Sequence, residues 1–279
     1  MADPGAPSAP APASAAAPAP QGPVQPGRLT LIGAGHVFAI RDTLRDAVLA
    51  LQPDIVFLEL DAGRLNGLLA KARGDTLPAP EGFVHKRLAA FQEEMASSYG
   101  AGVGLEMLGA LDGARALNAR VALVDDAADG MLQRALKELT WREKLRGLGM
   151  AIGGGLKALV PGRDAKGEVE QELARYQDDP PAVLGELRAK FPTLHRVLIA
   201  ERDERMAARI RAGLSGARHG VAVVGDGHVG GMLERLSDLA PTVYRLSDVR
   251  EGRLPRPTTP VATGSTESVG FSLFGPPQA

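Results

Sequence analysis

Two short stretches place a histidine in the same setting. "LIGAGHV" sets His36 directly after Gly33-Ala34-Gly35, and "VVGDGHV" sets His228 after Gly225-Asp226-Gly227. Each follows a short apolar run and precedes a helix-like pattern, which predicts both rings at the carboxyl end of a strand. Glu59 and Asp61 close the apolar run "PDIVFLELD", and Asp125 closes "RVALVDD". Ligands of open α/β sheets bind beyond the carboxyl ends of the strands. Five ionisable groups are therefore expected in one region. Two neutral imidazoles and a carboxylate form a usual ligand set for a divalent metal with an open position. Such an ion lowers the pKa of a water or polarises a carbonyl. The glycines suit this role because a turn without side chains can pass close to a ligand.

Each residue also has a plainer role. A histidine just after a strand often caps a helix or packs. Glu59 lies in an apolar run, where an unpaired carboxylate is costly, so a metal or an arginine must accompany it. Asp61 suits the cap of the following helix. His85, His195 and His219 lack the glycine context and read as surface or packing residues. "AERDERMAARI" reads by default as a solvated helix face, with Glu201, Arg202 and Asp203 available for i,i+4 pairs. A dinucleotide site is the rival to the metal site. "GAGHVFA" matches the glycine fingerprint loosely, and Asp61 could reach a ribose, but Phe38 would crowd the helix approach that the third glycine normally permits.

The elements that must position these groups alternate. "RLTLIGAGH" reads as a strand stopped by Gly33 and Gly35. Ile40, Leu44, Val48 and Leu51 share one helical face. "DIVFLEL" reads as a strand covered on both faces. Strand, helix and strand within so short a span form a βαβ unit. "EGFVHKRLAAFQEEM" reads as a helix, and a second one packs through Met107, Leu108, Leu111 and Leu117. "RVALVDD" is a third strand. A long helical region over 131–212 follows, with Gly and Pro breaks near 153–163 and 180–192. "GVAVVGDGH" is a fourth strand, "GGMLERLSDL" a helix and "TVYRLSD" a last strand. The predicted fold is a single α/β domain with a central mixed sheet flanked by helices and a helical insertion.

Composition sets the outer bounds. Of the 279 residues, 32 are Lys or Arg and 33 are Asp or Glu, and this balance gives no basic surplus for nucleic acid. The cysteine count is 0, so disulfides and thiolate metal sites are excluded. Residues 1–27 are almost wholly Ala, Pro, Gly and Ser, and read as a disordered tail. Residues 251–279 read the same way, leaving 28–250 as the folded domain. The N-terminal stretch lacks the basic start and apolar core of a secretory signal. "LRGLGMAIGGGLKALV" is too short and too interrupted to span a bilayer. The expectation is a cytoplasmic protein without stable membrane insertion, acting on a peptide or small-molecule substrate, with a homo-oligomer left open.

The segments "LIGAGHV", "PDIVFLELDAGRLNGLL", "GLEMLGALDGARALNARVALVDD", "LKELTWREKL", "LIAERDERMAARI" and "VAVVGDGHVGGM", in this order, resemble the TraB/PrgY family, within the wider group of GumN and Tiki proteins and near erythromycin esterase-like proteins. The resemblance matches His36 and His228 to the family's two Gly-x-x-His motifs and Glu59 to its acidic residue after the second strand. It matches Glu106 to the glutamate of the Gly-x-Glu-Met segment, and Arg202 with Asp203 to the Glu-Arg-Asp segment. Tiki relatives are metal-dependent proteases, and pheromone-shutdown relatives limit a secreted peptide signal. The resemblance thus implies a metal-dependent hydrolase, a peptidase or esterase. His36, His228 and Glu59 would hold Mn, Co or Zn, and Glu59, Glu106 and Arg202 would be catalytic, a glutamate serving as general base. A non-catalytic signalling or ligand-binding protein using the same pocket is the alternative. The chain departs from the family in "VDDAAD", where an Asp-Arg-Asp is usual, and in a polar tail where many prokaryotic members carry membrane helices.

Overall fold

The computed structural model describes residues 27–35, 40–75, 104–126, 131–158, 180–258 and 273–274. His36, His85, Phe38 and the helix expected over 81–95 lie outside them. Strand β1 (Arg28–Ala34) leads to helix α1 (Ile40–Leu51), then β2 (Ile55–Leu58), α2 (Ala62–Arg73), α3 (Leu105–Ala116) and β3 (Arg120–Leu123). The helical insertion holds α4 (Met131–Glu138), α5 (Trp141–Ala158), α6 (Pro180–Lys190), the short α7 (Pro192–His195), a π-helical turn (Arg196–Ala200) and α8 (Glu201–Leu214). It returns through β4 (His219–Gly225), α9 (Asp226–Arg235), β5 (Thr242–Tyr244) and α10 (Leu246–Arg250). A two-residue strand β6 (Leu273–Phe274) completes the described part.

The strand order is β5-β1-β4-β2-β3-β6. Every pairing is parallel. The expected mixed sheet is therefore corrected to a parallel one: helices carry the chain back between successive strands, so each strand starts again at the same edge. The order also resolves how two distant turns meet. β4 inserts between β1 and β2, and its register sets Gly33 opposite Val224 and Ala34 opposite Gly225.

Period-two alternation divides the core. Ile32, Ala34, Val56, Leu58, Val221 and Val223 face α1 and α3. Leu29, Leu31, Ile55, Phe57, Ala222 and Val224 face α8 and α9. The apolar face expected of α1 is observed, with Ile40, Leu44 and Val48 all buried. Its contact with α3 is close: a Cβ on Gly109 would lie 2.0 Å from the Arg41 carbonyl oxygen. Two sequence boundaries shift. Helix α5 runs through the glycines at 153–155 to Ala158. The fold also continues past Arg250, since Leu254 is buried in the core and β6 pairs with β3. Among the described residues no helix is long and apolar enough to cross a membrane.

Candidate functional site

The site is built at the carboxyl ends of β2, β3 and β4. Glu59 remains in register with β4, its amide donating to the Val223 carbonyl at 3.1 Å. The pleat that turns Phe57 toward α8 and α9 turns Glu59 the same way. Its Oε2 accepts the Gly225 amide hydrogen at 2.6 Å, and its Oε1 accepts from Arg202 at 2.7 Å. Arg202 is the arginine that the buried carboxylate requires. It projects from the first turn of α8, just beyond the π-helical turn, whose Leu198 carbonyl accepts from its Nη1 at 3.2 Å. Its other nitrogens bond both oxygens of Asp125, Nε at 3.0 Å and Nη2 at 2.5 Å. Asp125 also pairs with Arg64.

His228 stands on the first turn of α9. Its Nδ1–H donates to Asp203 Oδ1 at 2.6 Å, and its Nε2 lies 3.3 Å from Glu59 Oε1 and 3.2 Å from Arg202 Nη1. Burial opposes the imidazolium, but the Glu59 and Asp203 carboxylates outweigh it and raise the His228 pKa to about 9. Burial likewise works against the ionised forms of Glu59 and Asp125. His228 and Arg202 prevail at Glu59, holding its carboxyl below the usual range. Arg202 and Arg64 hold Asp125 at about 2. The result is an array of alternating charge, Arg64, Asp125, Arg202, Glu59, His228, Asp203, running from half-exposed Arg64 to buried Asp203, in which each carboxylate touches a cation or imidazole.

The predicted residues divide in three. Glu59, Arg202 and His228 converge. Glu106 is buried at the start of α3, where its Oε2 accepts the Gly104 amide hydrogen at 3.0 Å. His36 lies outside the described residues, although the strand that leads to it ends beside Gly225. Asp61 caps α2 through the Arg64 amide and also pairs with the Arg64 side chain, so it is committed elsewhere than to a ribose. His219 packs as expected, between Thr30 Oγ1 at 3.0 Å and the Leu51 carbonyl at 3.1 Å.

Two readings need correction. The face of "AERDERMAARI" is not wholly solvated: Glu201 makes the i,i+4 contact with Arg205, but Arg202 turns inward and Asp203 is buried. The glycines of the first turn make room for protein. A Cβ on Gly33 would come 2.2 Å from the Asp226 carboxylate, and one on Gly35 would come 2.6 Å from Leu246. Asp226, missed in the sequence, is buried and bonds Arg245 and the Leu246 amide. The missing arginine of "VDDAAD" is compensated from other elements, since Arg202 and Arg64 reach Asp125 while Arg205 and Arg209 reach Asp126.

Two ligands of one tetrahedral metal, bonded at about 2.0–2.2 Å, lie about 3.3–3.6 Å apart. Glu59 Oε1 and His228 Nε2 match that spacing. Asp203 supplies the outer carboxylate that ligating histidines usually carry. Arg202 Nη2 already bonds Glu59 Oε1 and its Nη1 stands 3.2 Å from His228 Nε2, and among the described residues no group of three His, Cys, Asp or Glu is arranged to hold a metal. The spacing of this one pair is compatible with shared ligation, but the pair by itself does not make a metal site.

A parallel α/β fold with buried His, Glu, Asp and Arg at its strand ends defines the class. The chain belongs to the TraB/PrgY/gumN family, whose family model matches residues 24–240. An uncharacterized protein of Methanocaldococcus jannaschii, MJ1365, is 27% identical over 221 residues, covering 75% of this chain and 53% of that protein. The chain therefore spans about half the length of this curated relative. No solved structure matches it.

Proposed function

We propose that this chain is a hydrolase of peptide or ester bonds, centred on His228 and Glu59 and dependent on a divalent metal. The observation that carries the reading is the His228 imidazole, fixed by Asp203 at Nδ1 and turned through Nε2 to Glu59. With the Nε2 proton of His228 displaced on binding, His228 Nε2 and Glu59 Oε1 would hold Mn, Co or Zn, with His36 as the third ligand. The ion, when bound, would lower the pKa of a water and polarise the scissile carbonyl. Asp203 keeps the imidazole in one orientation. Arg202, anchored to Asp125, offers a guanidinium to negative charge developing on the substrate. Glu106 is the second candidate base. The reading extends to a cytoplasmic protein acting on a peptide signal or a small molecule.

One feature favours a second, metal-free reading. Arg202 stands 2.7 Å from Glu59 Oε1 and 3.2 Å from His228 Nε2, so a permanent cation already pairs with Glu59 and occupies the space beside His228. Acid–base chemistry, or ligand binding without turnover, follows from that arrangement. Elemental analysis after loading with Zn, Mn and Co separates the readings, run on wild type, His36→Ala and His228→Ala. Stoichiometric metal, lost in both variants with unchanged circular dichroism, supports the metal site. No metal in wild type refutes it. Turnover of a peptide or ester library that disappears in Glu59→Gln then supports acid–base hydrolysis, and no turnover leaves the binding reading.

A further inference from the structure

A cavity of about 510 Å³ opens between α6, α7 and α9, a size typical of small-ligand sites. It shares one wall with the centre above, because Asp203 lines it. Most of its charges are committed. Arg245 pairs with Asp226, Arg196 pairs with Glu138 and Glu201, and Asp203 holds His228. Arg188 is left over, and Arg235 has only the distant carboxylate of Glu234, which also lines the cavity. Arg188 makes no ion pair among the described residues. Arg235 is fixed by two carbonyl oxygens, Gly231 at 3.0 Å and Ala200 at 3.2 Å, while the carboxylate of the exposed Glu234 is 4.0 Å away. His195 lies on the same wall. Burial and then Arg188 lower its pKa, so at neutral pH it is an uncharged hydrogen-bonding group.

The glycines supply an independent argument. A glycine inside a helix costs about 1 kcal/mol against alanine, so it requires a reason. Gly231 has one in the protein: a Cβ there would lie 1.9 Å from Asp203 Oδ2. Gly185 in α6 and Gly230 in α9 have none, since nothing stands within 4 Å of the Cβ position. Both line the cavity. Gly67 and Gly149 also face open space, but neither lines the cavity. Gly185 and Gly230, on two helices, widen one concave space whose surplus charge is positive.

We infer that this cavity binds a small ligand through an oxyanion, a carboxylate or a phosphate, held by Arg188 and Arg235 beside His195. An arginine immobilised by carbonyl oxygens retains its charge and presents its remaining N–H groups in a fixed direction, which suits a planar or tetrahedral oxyanion. The binding claim does not depend on turnover at His228.

The test is calorimetric titration at low salt with succinate and, separately, inorganic phosphate. Saturable binding is expected with at least one probe, and the stronger of the two assigns the carboxylate or the phosphate. Arg188→Ala, at an exposed position, should weaken it at least tenfold. Gly230→Leu fills the cavity without displacing a protein atom at Cβ; it should abolish binding and leave Tm unchanged or higher. No saturation with either probe, or binding equal to wild type in both variants, overturns the inference.

Discussion

Replacing Arg202 by methionine tests whether the array is held by one cation. The side chain of Arg202 is 15% exposed, and those of its carboxylate partners Asp125 and Glu59 are 2% and 11% exposed. Removing one member of a buried pair strands the other charge, at a cost of about 3–5 kcal/mol. Here the loss is shared, because Asp125 keeps Arg64 and Glu59 keeps His228 and the Gly225 amide. A second route gives a similar figure. Moving the Asp125 pKa from 3.8 to about 2 corresponds to about 2.5 kcal/mol, part of which belongs to Arg64. The variant should therefore lose about 3 kcal/mol at pH 7, read by urea denaturation with an unchanged m-value. The pH dependence follows from the depressed carboxylates. Their contribution is present above the unfolded pKa near 4 and is lost as pH falls toward 2. The gap between wild type and variant should be widest above pH 5 and shrink toward pH 3. A loss under 1 kcal/mol, or a gap that does not vary between pH 7 and pH 3, would show that Arg202 does not hold the two carboxylates ionised.

Two further outcomes are expected. His228 has a folded pKa of about 9 against an ordinary 6.5, so its contribution is complete below pH 6.5 and is lost as pH rises through 9. Wild type should lose on the order of 3 kcal/mol of stability across that window relative to His228→Gln, measured by denaturant titration at each pH; parallel curves would contradict the charged-imidazole assignment. Gly109→Ala pushes a Cβ to within 2.0 Å of the Arg41 carbonyl and should cost about 1–3 kcal/mol, whereas Gly67→Ala, with nothing within 4 Å, should be neutral or stabilising. Equal melting temperatures for the two alanine variants would show that α1 and α3 do not depend on that close approach.

The local signals in the chain carried far. Apolar runs matched β1 to β4 near their observed limits, and period 3.6 matched the buried face of α1; the last strand, expected over 242–248, ends at Tyr244 because Leu246–Arg250 turn into helix α10, where Asp248 accepts the Arg245 amide hydrogen at the helix start. Glu59 demanded a partner because a lone carboxylate cannot rest among Val56, Phe57 and Leu58, and that demand was met. The partner's identity was less legible from periodicity. Arg202 and Glu59 are 143 residues apart, and nothing in a helical charge pattern distinguishes an inward arginine from a solvated one. The family resemblance, rather than spacing, singled out Arg202. Asp226 was hidden for a related reason: its partners Arg245 and Leu246 come from the loop after β5, and Gly33, which makes room for it, comes from β1. The parallel sense of the sheet and the central place of β4 are properties of long-range pairing, to which a local pattern is blind.

The central place of β4 bears on how the molecule is made. β1 pairs only with β4 and β5 among the described strands, and the Thr30–His219 contact spans 189 residues. At synthesis rates of about 5–20 residues per second, the first strand waits roughly 10–40 s for its neighbour. Arg202, Asp203 and His228 are translated in that same late portion. A nascent chain can therefore assemble β2 against β3 early, but it has neither a closed sheet nor a charged centre until β4 slides between strands that were translated long before it. Any ribosome that stalls short of β4 releases a product with an open seam through the middle of its sheet, a natural substrate for chaperones and proteases.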